Sequence, residues 1–152
     1  MNVSLESPTQ PEVVALIAEL DAYQDTLYPP ESRHALEVAA LALPQVLFAV
    51  ARTPEGEAIG CGAIVRDGEC GELKRMYVRP SHRGRGVADA VLALLEAHAL
   101  AAGCGEVMLE TGPYQPSALA FYARHGYARR GPFGGYRDDP LSVFMSKSLG
   151  RR

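Results

Sequence analysis

A chain of 152 residues fits one compact domain, here expected to span 1–152, and would strain to build two independent cores. Apolar residues make up 47% and charged residues 22%, enough for a buried core, while a net charge of -3 argues against a general nucleic-acid binder, which needs a basic surface. No apolar run approaches the ~20 residues that cross a bilayer and the N-terminus lacks the pattern of a signal peptide, so the expected compartment is the cytoplasm, with no membrane partner.

In chain order, a first strand is expected over Val3 to Leu5. Pro11 opens a helix with Val13, Val14, Leu16, Ile17 and Leu20 on one apolar face. Pro29 and Pro30 must end it, because consecutive prolines remove donors and forbid the preceding helical turn. Ser32 is suited to cap a short second helix through Ala42. The period then changes. Val46–Val50 and Ala58–Val65 read as strands joined by a turn at Thr53–Gly56, and Asp67-Gly68 turns the chain into a third strand, Glu72–Val78.

That third strand is out of step. Leu73 and Met76 are both apolar, yet a regular strand sends them to opposite faces. One extra residue near Lys74-Arg75, a β-bulge, returns both to the core and bends the strand away from its next neighbour. Gly84 to Ala102 then reads as a helix with Val87, Val91, Leu94, Leu95 and His98 on one stripe. Val107–Glu110 follows as a strand reached by a crossover, hence parallel to Glu72–Val78. A helix over Pro116–His125 and a last strand over Leu141–Met145 complete a mixed α/β sheet with helices on both faces.

Between the bulged strand and the long helix lies Arg79-Pro80-Ser81-His82-Arg83-Gly84-Arg85-Gly86-Val87-Ala88. Gly84 and Gly86 permit turns closed to other residues, the first-turn amides point outward, and Arg83 and Arg85 add charge, so the segment suits a phosphate. It is not the dinucleotide fingerprint, since residue 89 is Asp where that motif has Gly, and it lacks the Gly-Lys-Ser/Thr of a P-loop. Cys61, Cys70 and Cys104 form no Cys-x-x-Cys pair and the four histidines are scattered, so neither a disulfide framework nor a metal site is expected.

Arg83-Gly84-Arg85-Gly86-Val87-Ala88 resembles the Arg/Gln-x-x-Gly-x-Gly/Ala signature of the GNAT superfamily of N-acetyltransferases. Glu72–Val78 is similar to that family's bulged strand, and Ser117–Tyr127, with Phe121-Tyr122 and Gly126-Tyr127, resembles its later helix. The order of elements matches over about residues 46–149. The resemblance implies an α/β fold of the acyl-CoA N-acyltransferase type, mostly antiparallel. It implies acetyl-CoA as co-substrate, with no metal, and a direct ternary complex with a small-molecule or peptide amine. By the same resemblance, backbone groups of Met76, Tyr77 and Val78 hold the pantetheine arm or the oxyanion. Arg83, Gly84, Arg85, Gly86, Val87 and Ala88 form the pyrophosphate cradle, and Gln115 stands where the family often has Asn. The assembly is expected to be a monomer or homodimer.

Acyl transfer needs a neutral amine, although an alkyl amine has a pKa near ~10.4. Glu72 is the base the resemblance implies. Glu110, at the carboxyl end of the parallel strand, is its rival. The resemblance makes Tyr122 the candidate proton donor to the leaving thiolate, with Phe121 expected to take the core position beside it. Tyr23, Tyr28, Glu31, Tyr114, Tyr136, Asp138 and Asp139 are candidates for an acidic and aromatic acceptor lining that would favour a cationic amine. The alternative to an enzyme is a CoA-binding regulatory module without catalysis.

Overall fold

The computed structural model describes residues 1–29 and 37–150. Seven strands form one sheet in the order β1-β2-β3-β4-β5-β7-β6. They are β1 (Asn2–Leu5), β2 (Val46–Arg52), β3 (Ala58–Asp67), β4 (Cys70–Val78), β5 (Glu106–Thr111), β6 (Ala128–Arg130) and β7 (Val143–Ser148). The helices are α1 (Pro11–Leu27), α2 (Val38–Leu41), α3 (Val87–Ala101) and α4 (Pro116–Arg124), with a 3-10 turn at Pro80–His82. Only β4 and β5 pair in parallel; all other neighbours are antiparallel. The expected mixed sheet is thus present. The start of the helix expected from Ser32 lies outside the described residues, and so does Glu31.

Strand alternation divides the core between two faces. Phe48 and Val50 of β2 and Cys61 and Ala63 of β3 meet Val13, Leu16 and Ile17 of α1 and Leu41 of α2. Ala49 and Ala51, with Ile64 and Leu73, meet Val91, Leu92 and Leu95 of α3 on the other face, which continues through Val107, Tyr122 and Met145. Two side chains depart from the expected stripes. Val14 is exposed on α1, and His98 is exposed on α3, where Leu92 and Ala99 face the sheet instead. The buried set Val87, Val91, Leu92, Leu95, Ala99 keeps a cleaner 3.6-residue period than one running through His98. The α3 helix also begins at Val87, because Gly84 and Gly86 are left-handed, with φ of 76° and 79°.

The bulge in β4 is where the sequence puts it. Cys61 pairs with Tyr77 and Ala63 with Lys74, so three steps on β4 oppose two on β3. Arg75 adopts φ 57°, the only positive value at a non-glycine residue among those described. Leu73 and Met76 consequently share the α3 face. The Cys61 thiol donates to the Arg75 carbonyl at 3.4 Å, and burial pushes that thiol up to about 12. From α1, Asp21 forms an ion pair with Arg75 Nε at 3.2 Å. Pairing of β4 with β5 stops at Leu73–Leu109, and the two strands separate beyond it.

Gly62 sits opposite the bulge because no side chain fits there. A Cβ at this position would lie 2.4 Å from Met76 Sδ and 3.1 Å from both Val91 and Leu95. Gly62→Ala is expected to destabilise the protein by about 1–3 kcal/mol through overpacking. In a Met76→Ala background the same change should cost less. Urea unfolding of the four proteins checks this; a coupling within ~0.5 kcal/mol of zero would show that the two sites do not meet.

Candidate active site

Where β4 and β5 part, two adjoining cavities open. The larger, about 600 Å³, runs from the end of β4 along the Arg83–Ala88 turn to α4. Met76, Tyr77, Val78, Arg83, Gly84, Gly86, Val87, Ala88, Gln115 and Tyr122 all line it. Arg85 and Glu72 do not. The smaller, about 120 Å³, is bounded by Leu73–Met76 of β4, Leu109–Thr111 of β5, Gln24 of α1 and Tyr28 just past its end. Leu20, Met76, Gln115, Ala118 and Tyr122 line both.

The turn has the build of an anion site. A Cβ on Gly84 or Gly86 would meet nothing within 4 Å, so the left-handed backbone rather than crowding calls for glycine here. Gly86 caps α3, and Val87, Ala88 and Asp89 of the first turn line the cavity, where free helical amides suit an anion. Arg83 Nε donates to the Val78 carbonyl at 2.9 Å and its guanidinium lies over the Tyr77 ring, which braces the turn against β4. Asp89 also lines this cavity, a carboxylate in the first turn of α3 that sequence reasoning passed over. It is hydrogen-bonded to His125 Nε2 at 2.6 Å and ion-paired with Arg124 at 3.1 Å, and the His125 hydrogen bond holds its carboxyl below the usual range. The signal was the Arg124-His125 pair at the end of α4, facing no partner visible in the linear sequence.

Tyr122 stands at the junction. It is the buried member of the Phe121-Tyr122 pair, reversing the expectation that Phe121 would take the core position. Phe121 instead lies half-buried against His125 and beneath Arg124. Tyr122 meets Tyr127 edge-on and joins the α3-side core, while Phe121 packs against that core only in part. The Tyr122 hydroxyl forms no hydrogen bond with the described residues, and burial raises its pKa well above the ordinary phenol value. It is therefore a neutral donor at physiological pH.

The two candidate bases sit differently. Glu110 lines the smaller cavity and accepts a hydrogen bond from the Ser142 hydroxyl at 3.0 Å. Glu72 lies one strand away, bound by the Tyr136 hydroxyl and by Lys74 Nζ at 3.1 Å. Lys74 Nζ also donates to Tyr136 at 2.8 Å, which ties the Phe133–Tyr136 turn to β4. Burial, and then the bond to Glu72, raise the Tyr136 pKa. Tyr28 stacks on Tyr114, accepts the Tyr114 amide at 3.1 Å and fills the space a Cβ on Gly112 would need. Tyr23 lines the larger cavity. Asp138 and Asp139 line neither; Asp139 accepts the Leu141 amide at 2.8 Å and closes a turn. Short acidic side chains favour such turns, and that use accounts for Asp139.

A model of the acetyltransferase (GNAT) family matches residues 14–127. The chain belongs to the GNAT acetyltransferase family. It is 48% identical over 151 residues to a protein of Azospirillum brasilense named IAA acetyltransferase, covering 98% of each chain. It is 36% identical to the uncharacterized N-acetyltransferase YsnE of Bacillus subtilis (strain 168), over 98% of this chain and 100% of that one. Among solved structures, a candidate acyl-CoA N-acyltransferase from Klebsiella pneumoniae superposes with a TM-score of 0.84 at 43% identity, covering 98% and 97% of the two chains. An aminoglycoside 6'-N-acetyltransferase complexed with coenzyme A shares the fold alone, with a TM-score of 0.76 at 18% identity over 100% and 99%. This GNAT protein is an acyltransferase.

The buried phenols fix an alkaline limit. Tyr122, Tyr127 and Tyr136 all have raised pKa values in the folded protein, with burial the largest cause. Below pH ~10 the folded and unfolded chains hold these protons equally. Above it the unfolded chain releases them first, so stability falls as pH rises, by up to ~1.4 kcal/mol per pH unit for each phenol. Tyr127→Phe should flatten the decline by about one such share in urea unfolding between pH 9 and 11. An unchanged slope would mean that Tyr127 titrates normally.

Proposed function

We propose that this GNAT enzyme transfers an acetyl group from acetyl-CoA to the primary amine of a small molecule or peptide in a direct ternary complex. The observation that carries the reading is the meeting of two cavities at Tyr122, one bordered by a phosphate-type turn and the other by a carboxylate. The residues present fit the donor. Open space beside Gly84 and Gly86 leaves the α3 amides accessible to a pyrophosphate, with Arg83 beside them. Past the bulge, β4 has no β5 partner, so backbone groups of Met76 to Val78 are available to pair with a pantetheine arm as an added strand.

Acetyl-CoA supplies a thioester whose acetyl carbon bonds to the amine nitrogen as the carbon–sulfur bond breaks. Glu110 accepts the amine proton, directly or through water; it lines the smaller cavity and Glu72 does not, which favours it as the base. Tyr122 donates its phenolic proton to the departing sulfur, and the proton taken up by the base restores it through solvent. Amides of Met76 or Tyr77 stabilise the charge that develops on the carbonyl oxygen. Arg85, outside both cavities, contributes through the field of the turn rather than by contact.

Gly84→Asp combined with Gly86→Asp should abolish binding of acetyl-CoA in calorimetry while circular dichroism reports a folded protein. Unchanged affinity would remove the cradle. Tyr122→Phe should lower kcat by ~10- to 1000-fold with little change in acetyl-CoA affinity, since only the transferable proton is deleted. Glu110→Gln and Glu72→Gln, compared over pH 6 to 9, identify the base: the variant that loses the rise of kcat/KM with pH lacks it. Wild-type profiles in both would assign the role to water.

A further inference from the structure

One charge in the larger cavity runs against the anion proposed for it. Asp89 is the one carboxylate among the described residues that line this cavity, and it sits in the first turn of α3. A bound pyrophosphate would lie against the same turn. The carboxylate therefore opposes the phosphates and offsets the helix field that attracts them.

A charge of the opposite sign reaches it from α4. Arg124 also lines the cavity, and its Nη2 donates to Asp89 Oδ1 at 3.1 Å. His125 Nε2 meets the same oxygen at 2.6 Å, which leaves Oδ2 without a hydrogen-bond partner among the described residues. The Arg124 guanidinium is held over the Phe121 ring as well. The side chains of Asp89 and Arg124 are 44% and 61% exposed, so solvent screens each charge in part and their influence on a ligand is moderate. As a pair they present the donor with little net charge at this rim, where either alone would attract or repel it.

We propose that Asp89 sets how firmly the donor cavity holds coenzyme A, by cancelling the charge of Arg124 at its rim. The proposal rests on the reading of the Arg83–Ala88 turn as the pyrophosphate cradle. Acetyl-CoA and the product coenzyme A carry the same phosphates, so uncancelled cations would hold both more tightly and release the product more slowly. With Asp89 in place, Arg83 and the α3 amides still attract the donor, and the product leaves without parting from a further cation.

The test titrates coenzyme A into the whole protein by calorimetry at low salt. Asp89→Asn should tighten binding about 3- to 10-fold, mainly through slower dissociation in stopped-flow displacement, and Arg124→Gln should weaken it by a similar factor. The double variant should return to within about twofold of the wild type, and both shifts should shrink as salt rises. Asp89→Ser, which also deletes the charge, should tighten binding in the same way, and circular dichroism shows which variants fold. Unchanged or weaker binding in the folded Asp89 variants overturns the proposal, makes Asp89 a tie between helices and leaves the donor reading standing. A double variant as tight as Asp89→Asn alone also overturns it, since Arg124 would then not be the charge that Asp89 cancels. Failure of coenzyme A to bind the wild type overturns both readings.

Discussion

A sheet hydrogen-bonded along its whole length leaves no room for a ligand between its central strands. Here the room comes from one residue too many in β4. The surplus is absorbed at Arg75 in a left-handed conformation that a branched or bulky side chain tolerates poorly. Three neighbours keep it there: the Cys61 thiol on its carbonyl, Asp21 on its guanidinium, and Met76 pressed into the space left by Gly62. Past this point β4 bends from β5, and the cavities and the junction at Tyr122 all lie in the gap.

The electrostatics of the gap follow from which groups stay neutral and which are compensated. A carboxylate in the first turn of α3 would oppose an anion, yet Asp89 is ion-paired with Arg124 of α4 and hydrogen-bonded to His125 just past it. That pairing also ties the C-terminal end of α4 to α3. The phenols around the gap remain protonated because burial disfavours their anions, leaving a hydroxyl that donates without adding charge. Glu72, Lys74 and Tyr136 bind one another and hold the Phe133–Tyr136 turn beside β4.

Much of this was legible in the chain because local pattern and local geometry agree. The clash of phase between Leu73 and Met76 has one cheap resolution, and the bulge is where that resolution requires. The glycine-rich turn announces left-handed backbone. Pro11 and Pro116 open the helices they were expected to open. What escaped has no local signature. Strand β6 is three exposed residues that exist only because β7 runs beside them. The burial of Tyr122 over Phe121 depends on which face of α4 meets α3, and the Asp89–His125 bond joins residues 36 apart. Asp138 and Asp139 look acidic and available in sequence, but they line neither cavity, and only the fold shows that Lys74, Arg75 and Glu110 border one.

The position of β7 bears on how such a protein is assembled in time. Strands β1 to β4 pair in steps, through short turns or through β2, but β5 has β4 on one side and β7, more than thirty residues later, on the other. During synthesis from the N-terminus, the meander and α3 can settle while β5 still has an open edge. Only when residues 143–148 leave the ribosome is that edge covered and the wall carrying Glu110 held on both sides. The gap between β4 and β5 is thus the last part of the sheet to be closed in, and a nascent chain stalled before β7 would have the phosphate-type turn without a completed β5 wall.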